Sequence, residues 1–172
     1  MSVSTKYAIL VTSFSIILKM TLFYLGLQFS VYNLSSIFGP LLFLLVGMAI
    51  SNYQLNQTSA GNAALQFNDY FKNALKVGVL FAVIYSFFIY LYYNNIDVNF
   101  FDNKMAENLK SIEGKDISAE QIEKYKENAS FFLSAYKQSF FTLLGFLFIS
   151  MIYASVISIG IKNPFFSGKG KV

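Results

Sequence analysis

Lys19 has the clearest claim to chemistry in this sequence. It interrupts an apolar run from Tyr7 to Phe29, about ten residues or roughly 15 Å along a helix from the nearer end. A lysyl stem does not snorkel that far. The amine must therefore meet hydroxyls, backbone carbonyls, water, an anionic ligand or an acid from another chain. Ser15 lies one turn upstream on the same face, and Thr12 about one turn before that. Ser15 with Lys19 is also the one pairing in the chain's spans that offers a nucleophile beside a base, the requirement for intramembrane acyl transfer.

What is absent narrows the chemistry further. The chain has no His and no Cys, which removes the usual general base, the commonest metal ligand and all thiol chemistry. None of its acids falls within an apolar run. No cofactor, no metal and no catalytic group is therefore expected, and the chain reads as non-enzymatic.

The elements that position Lys19 are four apolar segments, at about 7–29, 37–53, 77–93 and 139–161. The outer two are long enough, at ~1.5 Å per residue, to cross a ~30 Å hydrocarbon core, and the middle two are at the lower limit. Hydrophobic residues make up 55% of the chain and charged residues 13%, about half the share of a soluble domain. A soluble bundle carries charge on the outer face of every helix. Here those faces are Leu, Ile, Val and Phe, so the outside is lipid. The expected fold is an all-α polytopic membrane protein: a single domain, 1–172, built as a four-transmembrane-helix bundle. Insertion tolerates Lys19. A central lysine costs ~2.5–3.5 kcal/mol, and each Leu, Ile, Val or Phe of the run returns ~0.3–0.6.

All 13 basic residues are Lys. They form no basic patch with Arg, so nucleic acid is not an expected partner. Lys6 in the N-terminal tail, Lys72 and Lys76 before the third segment, and Lys162, Lys169 and Lys171 in the C-terminal tail place both termini in the cytoplasm. The connection 94–138 carries six lysines and eight acids and falls outside. Lys6 and the run after it resemble a signal peptide, but no small-x-small cleavage site follows, so the first segment reads as a retained span.

Gly39-Pro40 reads as the opening of the second span, where proline is tolerated. Residues 62–76 are amphipathic at a helical period, with Ala64, Phe67, Tyr70, Phe71, Ala74 and Leu75 on one face. This predicts an interfacial helix; a continuous extension of the third span is the alternative. In the outer loop, Ser118 to Gln121 forms a capping box with Ile117 and Ile122 at staple positions, predicting a helix from about Ala119. A shorter helix is expected around 104–112. Helices in lipid approach through small residues at four-residue spacing. Ala74, Gly78, Ala82 and Ser86 mark such a face on the third span, and Ser150, Ala154 and Ser158 on the fourth. Intramolecular packing is the expected use, with a homo-oligomer face as the alternative.

The order of these features carries a resemblance. A lysine-bearing first span is followed by Phe38-Gly39-Pro40, by the aromatic–Ala–Lys–x–Gly stretch from Phe67 to Gly78, by a long acidic-lysine loop and by a lysine-closed last span. This layout resembles the four-pass membrane proteins of the domain-of-unknown-function 4199 family, found in Gram-negative bacteria. The abundance of Lys, Asn, Ile, Phe and Tyr agrees with an AT-rich bacterial source. The resemblance implies four spans in the bacterial inner membrane and carries no assigned activity or site residue. Three uses fit the residues. The first is a non-enzymatic protein acting through membrane lipids or a protein partner. The second is an oligomeric transporter or channel subunit with Lys19 at an anion or lipid site. The third is an enzyme built on Ser15 and Lys19.

Overall fold

A computed structural model describes residues 1–32, 34–59, 65–110, 120, 123–124, 127 and 133–162. Among these the only regular secondary structure is helix, with no strand. Four helices are long and apolar enough to cross a membrane. They are α1 (Val3–Tyr24), α2 (Gly39–Thr58), α3 (Phe67–Asn95) and α5 (Ala135–Lys162), with the short α4 (Phe100–Lys110) between the last two. A five-residue π-helical segment, Leu34–Phe38, leads directly into α2.

The ends differ from the hydropathy boundaries for local reasons. The Ser2 hydroxyl caps α1 by accepting from the Thr5 amide at 3.3 Å. At the other end Gly26 takes φ +68°, a conformation that glycine adopts without strain. Its amide donates to the Phe23 carbonyl and that of Leu27 to the Leu22 carbonyl, both at 2.9 Å. This pair of bonds is a Schellman stop. The first span therefore ends at Tyr24, although apolar residues continue to Phe29. Lys19 stands five residues before that end, roughly 8 Å along the axis, and not at mid-span.

The second span begins a turn earlier than expected, at Leu34. Pro40 stands in the first turn of α2, as expected, but the π-turn runs directly into it, and it cannot donate to the Ser36 carbonyl. The widened π-turn before it is one of the ways a helix accommodates such a break. The third correction concerns 62–76. From Phe67 onward this stretch is continuous with the third span in one 29-residue helix, so it forms no separate interfacial helix. At about 43 Å, α3 exceeds the ~30 Å core and projects beyond it. The short loop helix is α4, shifted a turn towards the N-terminus. The capping box at 118–121 lies largely outside the described residues. Glu120, Glu123, Lys124 and Glu127 are helical and exposed.

The chain divides into two compact units, Met1–Tyr85 with Leu144–Val172, and Ser86–Leu143. In the first, Leu18 lies against Gly39 and Val11 against Gly47, which makes α1 and α2 antiparallel neighbours. Met48 of α2 and Ser150 of α5 both press on Gly78 of α3, where a side chain would collide with them. Phe81, Tyr85 and Phe146 stack beside this contact, with ring centroids 5.0–5.7 Å apart. The second unit is an aromatic knot. Tyr93 meets Phe100 at 4.8 Å and Phe101 at 4.7 Å, tying α4 to the last turn of α3. The Tyr92 hydroxyl donates to Asp97 at 3.1 Å. The Ser139 hydroxyl of α5 donates to the Ser86 carbonyl at 2.7 Å.

Candidate functional site

The buried face of α1 is unusually polar: Ser4, Thr12, Ser15 and Lys19 alternate with Ala8, Val11 and Leu22. Its hydroxyls turn back on their own helix. Thr12 donates to the Ala8 carbonyl at 2.7 Å and Ser15 to the Val11 carbonyl at 2.9 Å. Neither is directed at Lys19. The amine instead reaches forward to the Ser36 hydroxyl at 3.2 Å and lies 5.6 Å from the centroid of the Tyr32 ring. The Ser15–Lys19 pair required by the acyl-transfer reading is not formed.

The π-turn builds the rest of the pocket. Ser35 is buried, and its hydroxyl donates to the Tyr32 carbonyl at 3.1 Å. From α3 the fully buried Tyr85 donates to the Ser35 carbonyl at 3.2 Å. Gly39 makes the arrangement possible. A methyl group there would strike the Leu18 side chain and stand 2.8 Å from the Leu34 carbonyl oxygen. Leu18 and Lys19 therefore dock side by side on the segment that Pro40 interrupts. Lys19 is only 2% exposed, so a ligand reaching its amine would have to displace Tyr32 or Ser36.

A second polar cluster joins α2 to α3. Asn73 donates to the Ser51 hydroxyl and to Asn52 Oδ1, both at 2.9 Å, and Tyr70 donates to Asn56 Oδ1 at 2.9 Å. Ser51 and Asn52 are fully buried, and Asn52 Nδ2 has no hydrogen-bond partner among the described residues.

The small-residue faces are enclosed. Ala74, Gly78 and Ala82 line the inner side of α3, with Gly78 on Ser150. Ser150, Ala154 and Ser158 are fully buried on α5, and two of their hydroxyls bond within the helix, at 2.6 Å each. Ser86, fourth in the α3 series, is buried in the second unit.

The family described as "Protein of unknown function (DUF4199)" matches residues 6–163. The chain belongs to this family. No curated protein and no solved structure matches it. The match takes in both polar clusters and all four apolar helices. Chemistry must therefore be argued from the side chains.

Sequence reasoning found Lys19 and missed its partners. Tyr32, Ser35 and Ser36 fall between the spans expected at 7–29 and 37–53, so none of them lay on an expected helix. The signal that would have exposed them is Pro40, four residues after Ser36: a proline there frees a carbonyl and distorts the turn that carries the serines.

Proposed function

We propose that this is a non-enzymatic integral membrane protein of the bacterial inner membrane, both termini cytoplasmic, acting through lipid or protein contacts. The observation that carries the reading is α5. The share of its most apolar stretch that is buried, 17%, is the smallest of the four spans. Leu144, Phe148, Met151, Ile152, Val156 and Ile159 all point outward. Such a face needs lipid or a partner helix to cover it. The interior polar groups meanwhile hold helices together, which supports a binding role over a chemical one.

The orientation is supported by charge. The antiparallel contacts bring the N-terminal ends of α1 and α3 and the C-terminal ends of α2 and α5 to one end of the first unit. Among its described residues Lys6, Lys72, Lys76 and Lys162 are at that end. Lysines flanking spans favour the cytoplasm.

Native mass spectrometry of protein released gently from its own membranes tests the reading, with wild type beside Lys19→Met. A stoichiometric protein or lipid retained by both is the expected result. Release as a bare monomer overturns the proposal. A lipid or small anion lost only from Lys19→Met supports the second reading instead, an oligomeric transporter or channel subunit with Lys19 at an anion or lipid site. That reading draws on a buried charge beside a π-turn, a combination frequent at functional positions.

A further inference from the structure

We infer that Tyr32 and Ser36 form a receptor for a compact monovalent cation, and that its resident guest is the ammonium group of Lys19. The inference goes beyond the contact reading of the whole chain, and its failure would leave that reading untouched.

The surroundings of the amine decide the sign of the charge that fits. The Tyr32 ring, at 5.6 Å, lies within the ~6 Å over which an aromatic face attracts a cation. The Ser36 oxygen accepts from Nζ at 3.2 Å. The Ser35 and Tyr85 hydroxyls are turned onto backbone oxygens, Ser35 onto the Tyr32 carbonyl and Tyr85 onto the Ser35 carbonyl. The amides at the start of the turn are occupied too, since those of Leu34 and Ser35 donate to the Val31 carbonyl at 3.0 and 3.3 Å. The hydrogens of the Ser35 and Tyr85 hydroxyls and of these two amides are thus taken by carbonyls. Ring density and oxygen lone pairs suit a cation.

The break at Pro40 explains why such a pocket exists inside a span. In a regular helix each interior carbonyl is already engaged by the amide four residues on. The π-turn instead brings Ser35 and Ser36 to neighbouring helices: the Ser35 carbonyl takes a bond from α3, and the Ser36 hydroxyl faces α1. Interrupted helices in membranes commonly use such released oxygens to hold cations. Here the cation is tethered to α1, so one contact both fills the pocket and fastens the two helices. With the tether cut, the pocket should accept a free alkylammonium ion of matching size.

Chemical rescue of Lys19→Ala tests this. Thermal unfolding of the purified protein in detergent is followed alone and with propylammonium chloride, 1-propanol or sodium propionate at one concentration. The variant is expected to melt several degrees below wild type and to regain most of that loss only with propylammonium. Equal recovery with propanol would show that the lysine merely fills space. Recovery with propionate would show an anion receptor. Either result overturns the inference. If Lys19→Ala does not accumulate, Tyr32→Phe and Tyr32→Leu in the lysine-bearing chain decide. Phe keeps the ring and should hold the melting temperature, whereas Leu should lower it, and equal melting of the two overturns the inference.

Discussion

At the start of its run α2 is fastened to α1 by the Lys19 amine, and towards its end it is fastened to α3 by neutral amides. The first contact sits where Pro40 interrupts the helix; the second sits where α2 is regular. An interrupted helix turns oxygens sideways and can take up an ammonium group. In the regular part of α2 the neighbour is met by side chains, those of Ser51, Asn52 and Asn56. The charge costs more to insert, ~2.5–3.5 kcal/mol at a helix centre, but Lys19 stands in the last two turns of α1, where that figure is an upper limit. The amide cluster has a small cost and a small return per bond, about 0.6 kcal/mol on average between membrane helices.

The largest effect should come from closing the approach at the charged end. In Gly39→Val the new side chain meets Leu18 and the Leu34 carbonyl at once, and a backbone oxygen cannot move aside as a side chain can. Overpacking of this kind costs about 3 kcal/mol. It also pushes α1 from the π-turn, so the Lys19–Ser36 contact is lost with it. Reversible unfolding in mixed micelles should show the loss. Wild-type stability in Gly39→Val would mean that the close approach does not hold the charged end together.

At the amide end the two asparagines should differ in how much they cost. Asn73→Leu leaves Asn52 Oδ1 and the Ser51 hydroxyl buried without their donor, a loss of about 1–2 kcal/mol. Asn52→Val removes an acceptor, but it also removes the Nδ2 group that has no partner, and Asn73 still bonds Ser51. Its net effect should lie within about 0.5 kcal/mol of zero. The same unfolding titration compares them. Equal losses would show that Asn52 Nδ2 is satisfied in the membrane and that the cluster is larger than its protein members.

The contrast also shows what sequence reading reaches. The four spans are legible because hydropathy accumulates over twenty residues, and the contact faces of α3 and α5 are legible because Gly78 and Ser150 recur in small-residue series. Lys19 stands out because nothing else charged shares its segment. Boundaries are less legible, since apolarity does not stop where a helix stops. Gly26 ends α1 through its backbone conformation, while Leu25 and Leu27 remain apolar on either side. The partners of Lys19 were hidden for a related reason. Ser36 reaches it only through a π-turn, and a helical wheel with its fixed turn has no place for that geometry. The Asn52–Asn73 contact joins residues two turns from a hairpin, and no spacing along one helix reports it.

The smallest effect should come from Tyr70→Phe, at the outer edge of the amide cluster. The ring stays buried, so packing is kept, and only the hydroxyl donated to Asn56 Oδ1 is removed. Asn56 is exposed, and its oxygen can be rehydrated once the tyrosine hydroxyl is gone. A hydrogen bond whose acceptor returns to water is worth about 0.5 kcal/mol, below the loss expected for Asn73→Leu, whose abandoned partners are sealed from solvent. The two variants are thus graded by how dry the remaining partner is, and side-by-side unfolding titrations can resolve them. A Tyr70→Phe loss as large as that of Asn73→Leu would mean that the Asn56 end is as enclosed as the Asn52 end, and that α2 and α3 are closed by one continuous polar seam up to their hairpin.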